Sequence, residues 1–237
     1  MRVFTSPSSG IPPIRRGNSI FTGDDLREWQ RTLMKYLRLG ALRLAAHSSH
    51  VSRAFMVPKP DGTKWLIVDL RPLNMHLANR RLRMVGLWDL AFHLPPGDHM
   101  IAWDVADAYF HVALFPSHVK YCTIRVNGHL WEIPVLPFGL KSSPYVLSKV
   151  VAPLVQFLCS PRLILHRQPP VWLPGLRKIW PLNSPVYILP YINDFLGTLT
   201  SRPQLNKFSK VLQQALCDLG LSLKTSKSIL EPTTRIK

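Results

Sequence analysis

Acids are scarce in this sequence, so the few that sit in apolar surroundings stand out. "WDVADAYF" sets Asp104 inside a strongly apolar, β-type run with Asp107 three residues on, and "YINDFL" sets Asn193 and Asp194 side by side between two apolar flanks. A buried carboxylate needs a cation or hydrogen-bond donors. Two acids on neighbouring strands that face each other make a hard-oxygen site suited to Mg²⁺. The plainer alternative for each is a turn, since Asn-Asp and strand-end Asp are common turn chemistry. Two further segments could touch a ligand. In "LPFGLKSSP" Gly139 precedes a helix start, which lets backbone approach a bound group closely. In "VPKPDGTKW" Lys59 and Lys64 flank a turn, where lysines can hold phosphates or simply stay solvated.

The elements that must position these residues follow from local pattern. Residues 1–23, rich in Ser, Pro and Arg, are expected to form a flexible leader. Leu26, Trp29, Leu33 and Leu37 recur at helical spacing behind Asp24 and Asp25, which predicts an amphipathic helix ending near Gly40. "RAFMVPKPDGTKWLIVDL" predicts a hairpin turning at Asp61-Gly62, and "YCTIRVNGHLWEIPVL" a second turning at Asn127-Gly128. "MIAWDVADAYFHVAL" is strand-like throughout. "SSPYVLSKVVAPLVQFL" predicts a helix capped by Ser143, with Pro144 in its first turn and a kink at Pro153. "VYILPYINDFLGTL" predicts two strands meeting at Asn193-Asp194, and a last helix runs from about Gln204 to Leu219, stopped by Gly220. The class is α+β with an antiparallel sheet packed on helices. Residues 160–190 carry many prolines and no periodicity, and are expected to be an insertion.

Composition narrows the partners. The chain has 237 residues, 46% of them hydrophobic, so it can form a packed core. Its formal net charge of +17, from 30 Lys+Arg against 13 Asp+Glu, points to a polyanion such as nucleic acid. Three cysteines without metal-like spacing suggest a reducing compartment. The N-terminus lacks the apolar stretch of a secretory signal, and no run reaches the ~20 apolar residues of a membrane span. These features lead to the expectation of an intracellular protein without a membrane partner.

The order of the motifs is more telling than any one of them. "VPKPDGTKWLIVDLRPLN", "WDVADAYF", "LPFGLKSSP", "YINDFL" and "LGLSLKTSKSILEP" together resemble the reverse transcriptases, in the manner of DIRS or Ty3/gypsy-like retrotransposons, over about residues 24–236. The resemblance implies a right-hand polymerase fold, with fingers at 24–92 and 115–142 and palm at 93–114 and 143–237. It implies a metal ligand at Asp104, a second at Asp194, and two divalent ions, Mg²⁺ or Mn²⁺. Tyr109 is then the steric gate against a ribose 2′-OH, with Asp107 and Ala108 beside it. Phe138 and Gly139 lie by the incoming nucleotide and Lys59 by its triphosphate. Lys227 lies near the leaving pyrophosphate, and Arg71 and Lys64 contact nucleic acid. The implied partners are dNTPs and an RNA or DNA template-primer, and the implied context is a longer polyprotein.

The sequence departs from the family pattern in four places. Asn193 stands where the family has the first Asp of "Y-x-D-D", which implies weakened cation binding and lowered activity. Trp65 is followed by Leu66 where the family has Arg. The Pro-rich stretch lengthens the spacing between Gly139 and Tyr191. The family pattern continues past "EPTTRIK" into a thumb and often an RNase H domain, which this chain is expected to lack. Two readings stay open: a template-directed DNA polymerase domain, or a catalytically inactive relic that binds nucleic acid.

Overall fold

The structure, a computed structural model, describes residues 11–48, 50–84, 86, 88, 94, 97–158 and 186–235. The chain divides into two compact units, one of Met1–Arg81 with Tyr109–Val146 and one of Leu82–Ala108 with Leu147–Lys237. The strands in chain order are β1 (Ile14–Arg15), β2 (Arg43–Leu44), β3 (His50–Val51), β4 (Arg53–Pro58), β5 (Lys64–Asp69), β6 (His99–Asp104), β7 (Thr123–Val126), β8 (His129–Glu132), β9 (Tyr187–Tyr191), β10 (Asp194–Leu199) and β11 (Ile229–Thr233). Among the described residues no helix is long and apolar enough to cross a membrane.

In the first unit both expected hairpins form. β4 pairs with β5 from Arg53↔Asp69 to Pro58↔Lys64, and β7 pairs with β8 around Asn127-Gly128. β2 adds to the edge of β8. The N-terminal helix, Gly23–Arg38, has Asp24 and Asp25 in its first turn and Lys35 and Arg38 in its last, each sign matched to the helix dipole. It buries Trp29 in a core with Leu70, Leu73, Ile124, Leu136 and Leu140.

The expected leader is corrected over residues 11–23, while residues 1–10 lie outside the described ones. β1 pairs in parallel with β3, Ser19 bridges to Val126, and Phe21 is buried against Trp29 at a ring distance of 5.8 Å. Isolated apolar residues, Ile14 and Phe21, anchor the arm, so no periodic signal marks it.

The second unit is one antiparallel sheet in the order β11-β6-β10-β9. Side chains alternate across its faces. Ile101 and Trp103 of β6 are buried, and Trp103 stacks on Phe195 directly across the ladder, 5.4 Å apart and 5° from parallel. Leu212 and Leu216 of the helix Arg202–Asp218 pack on that pair. This helix buries Leu205, Phe208, Val211, Leu212 and Ala215. It ends at Gly220 (φ +72), whose N–H reaches the Cys217 carbonyl while the Leu221 N–H reaches that of Leu216. Leu219, the residue after its last turn, is exposed. Gly197 sits opposite Ile101 because the Trp103 ring lies over it; a Cβ there would come within 3.1 Å of that ring.

Three local expectations need correction. The run through Asp104 is not one strand: β6 stops at Asp104, Asp107 takes a left-handed φ of 46°, and Ala108–His111 is a 3₁₀ turn. The helix Ser143–Leu158 is not capped by Ser143, which is already helical and donates its hydroxyl to the Pro137 carbonyl. The expected insertion at 160–190 lies outside the described residues up to 185. Its last residues belong to β9, where Pro190 is tolerated because β9 is the edge strand.

Candidate active site

The alternation that turns Trp103 and Phe195 towards the helix turns their neighbours the other way. Asp104 and Asp194 therefore stand opposite each other at the last rung of the β6:β10 ladder. The β9–β10 turn is made by Ile192 and Asn193, with Tyr191 paired to Asp194. Two hydrogen bonds tie it to β6. The Val105 N–H donates to the Asn193 carbonyl at 3.0 Å, and Asn193 Nδ2 donates to Asp104 Oδ1 at 2.7 Å. On the other side of β6, the Lys224 N–H donates to the Asp104 carbonyl at 2.8 Å, and the Asp104 N–H reaches Ser228 Oγ at 3.2 Å. Asp104 is buried at 7% exposure, whereas Asp194 is exposed. Desolvation at the turn and the negative charge of Asp104 push the Asp194 carboxyl above its ordinary value, and the Lys227 ammonium works against them. The second unit thus brings Asp104, Asn193, Asp194 and Lys227 into one corner. Asp107 and Ala108 belong to the same unit, just beyond the end of β6.

The first unit holds the remaining candidates. Tyr109 and Phe138 meet edge to face at 5.0 Å, and Phe110 meets Phe138 at 5.5 Å. Burial raises the Tyr109 phenol. Gly139 takes a φ of +85°, and its loop is held by Asn74, whose Nδ2 donates to the Gly139 carbonyl while its Oδ1 accepts from the Lys141 N–H, both at 2.8 Å. Sequence reasoning missed this clasp, although "DLRPLN" ends on Asn74; nothing local links Asn74 to a loop far along the chain.

Lys59 stands at the β4–β5 turn with its ammonium 5.7 Å from the centre of the Trp65 ring. Lys64, expected to contact nucleic acid, is instead bound by Asp24 at 2.8 Å and Asp25 at 2.6 Å. Those hydrogen bonds hold its ammonium above the ordinary lysine value and engage its charge within the chain. Arg71 grips Asp69 with two nitrogens, at 2.8 and 2.9 Å, and pulls that carboxyl down to about 2. The Arg71 side chain is itself 88% exposed.

Residues 57–235 match the family described as reverse transcriptase (RNA-dependent DNA polymerase). The chain belongs to the reverse transcriptase family. Among its relatives are the Gag-Pro-Pol polyproteins of mouse mammary tumor virus (strain BR6), 25% identical over 86% of this chain, and of human T-cell leukemia virus 2, 25% identical over 75%. The chain spans only 11% of the length of either polyprotein. The protease-reverse transcriptase of prototype foamy virus matches 98% of this chain and 28% of its own length, with a TM-score of 0.74 and 17% identity. The foamy viral protease-reverse transcriptase in complex with double-stranded DNA matches 97% of this chain and 35% of its own, also at 0.74. The fold is the α+β fingers-and-palm fold of reverse transcriptases.

Reverse transcriptases generally use divalent metal ions. The donors in this reverse transcriptase corner do not fit a pair of them. Clamping two such ions takes charged oxygens that bridge them. Here two carboxylates face each other, and the third position is an amide that turns an N–H towards Asp104. Among the described residues no three His, Cys, Asp or Glu side chains are grouped to hold a metal. Asp104 and Asp194 are the carboxylates that this corner offers to a cation.

Proposed function

We propose that this chain is the fingers-and-palm part of an RNA-directed DNA polymerase of retroelement origin, with fingers at 24–92 and 115–142 and palm at 93–114 and 143–237. The observation that carries this reading is the pairing of Asp104 with Asp194 at the open end of two antiparallel strands, within a chain that matches the family over residues 57–235. On this reading dNTPs are the substrates and an RNA or DNA template-primer is the partner. Tyr109, Phe138 and Gly139 of the first unit then contact the nucleotide, as do Asp107 and Ala108 of the second. Lys59 takes its triphosphate, Lys227 lies by the pyrophosphate, and Arg71 faces the template strand. Lys64 acts through Asp24 and Asp25, fixing the hairpin tip that carries Lys59. A net charge of +17 supports phosphate-driven, sequence-tolerant binding. The polyprotein relatives support a place in a longer chain.

A second reading, favoured by the Asn193–Asp104 hydrogen bond, is a copy that holds nucleic acid but synthesises poorly. One assay separates the two. Mg²⁺-dependent dNTP incorporation on poly(rA)/oligo(dT) is measured for the natural chain and for Asn193→Asp. Robust synthesis by the natural chain supports the first reading. Synthesis that needs the substitution supports the second. A folded protein that neither synthesises nor retains the template-primer at low salt refutes both.

A further inference from the structure

The amide at position 193 is a donor, and it points at the most buried acid of the corner. Asp104 is 7% exposed, and its Oδ1 receives Asn193 Nδ2 at 2.7 Å. The partner is a carboxylate, so the nitrogen end of the amide must face it. The backbone holds the side chain beside Asp104, because the Val105 N–H donates to the Asn193 carbonyl from the same strand end. The second acid, Asp194, has the Lys227 ammonium as its nearby positive charge. Asp104 therefore has a hydrogen-bond donor from the chain itself, and Asp194 has a positive charge of the chain in its surroundings.

We propose that Asn193 is an internal counter-ligand, its amide N–H standing where a cation would otherwise satisfy Asp104, so that the corner is complete without a divalent ion. This rests on the reading of the corner as the site of synthesis only for its consequence, namely why a chain with both outer acids in register handles metal poorly. A cation reaching Asp104 must first break the 2.7 Å bond and make the amide present its oxygen. A carboxylate at 193 has no donor to offer and sets a third negative charge beside Asp104 and Asp194. The substitution that restores the family's acid thus makes the fold depend on a cation, whereas the natural chain does not.

The test is thermal unfolding of the full chain at fixed pH and matched ionic strength, in EDTA and in millimolar MgCl₂. The midpoint of the natural chain is expected to be the same in both, within about 1 °C. That of Asn193→Asp is expected to fall by about 3 °C or more in EDTA and to recover in MgCl₂. Asn193→Ala, which removes the donor without adding charge, falls in EDTA and recovers less in MgCl₂ than Asn193→Asp does. A natural chain that gains as much from Mg²⁺ as Asn193→Asp does overturns the proposal, as does an Asn193→Ala whose midpoint in EDTA equals the natural one. Should Asn193→Asp fail to fold in EDTA, the alanine variant still decides. Gel shift of a template-primer on the same preparations is read separately: loss of binding refutes the nucleic-acid function and leaves the melting result standing.

Discussion

Two hairpins of this chain turn through two residues, and they do so in opposite ways. At Asn127-Gly128 both residues take positive φ, 46° and 83°, the mirror-image geometry that suits the twist of paired strands, from the two residue types that reach it most easily. At Ile192-Asn193 only the first has positive φ, 61°, a position that favours glycine but is filled by a β-branched residue. Such a residue costs about 1–3 kcal/mol in that region and persists only where its surroundings hold it. The bonds from Val105 and to Asp104 do the holding. The first turn follows its own local preference. The second is set by what it must place beside Asp104.

The largest expected effect tests that contrast through the same chemical change at both tips. Asn193→Asp should raise Mg²⁺-dependent incorporation by about 10²–10³-fold, since a charged ligand beside developing phosphoryl charge contributes several kcal/mol. The matched change Asn127→Asp should leave incorporation unaltered. Equal responses at the two tips would end the distinction between them.

The next effect is on folding, and it belongs to the first tip. Asn127 accepts the Phe21 N–H at 2.8 Å and donates Nδ2 to the Phe21 carbonyl at 3.2 Å, clasping the N-terminal arm. Asn127→Ala removes both bonds and should destabilise the chain by about 2 kcal/mol, lowering the melting midpoint by about 4–8 °C. A shift confined to the turn's own amides in hydrogen exchange, with the arm still protected, would contradict the clasp.

What the sequence disclosed follows the range of each interaction. The turns at Asp61-Gly62 and Asn127-Gly128 were legible because a pair of adjacent residues sets a turn, whereas the turn expected at Asn193-Asp194 lies one residue earlier, at Ile192-Asn193, with Asp194 already in β10. The helices Gly23–Arg38 and Arg202–Asp218 were legible because their apolar faces repeat every three or four residues. Asp104 and Asp194 could be paired from the order of motifs, not from spacing, because a ladder between strands so far apart leaves no local trace. The contacts that were missed join residues from far along the chain: Asn74 with Gly139, Lys64 with Asp24 and Asp25, and Phe21 with Asn127. Asn193 was legible as a poor cation ligand. That it acts as a donor to Asp104 depends on which end of the amide the turn presents, and only the fold sets that.

A smaller effect sharpens the account of the second tip. Ile192→Gly relieves the left-handed strain at the cost of a more flexible unfolded chain, and the net expected is a gain of about 1 kcal/mol, or about 2–4 °C in midpoint. Incorporation by the Asn193→Asp background should fall in the double variant, because a relaxed turn aims its side chains less firmly. A midpoint that drops would mean that Ile192 is favourable where it stands.

The smallest effect returns to the arm, which is tied at a second point. His50, buried in β3, has the backbone carbonyls of Pro12 and Ile11 in its surroundings and stands edge-on to Tyr121 at 4.5 Å. Burial lowers its pKa from 6.5; the carbonyls oppose that shift, while the positive charges of Lys120 and His76 add to it. The unfolded chain therefore binds a proton more readily than the folded one. The contribution of neutral His50 is fully present above pH 6.5 and is lost as pH falls through the lowered folded value. Melting midpoints should decline on acidification through that range, and His50→Gln should flatten the decline. The loss should appear first in the protection of residues 11–16 against hydrogen exchange, and the Ile192-Asn193 tip should not share it. An acid response that begins at that tip, with the arm unmoved, would place the sensitive group in the second unit and separate His50 from the stability of the arm.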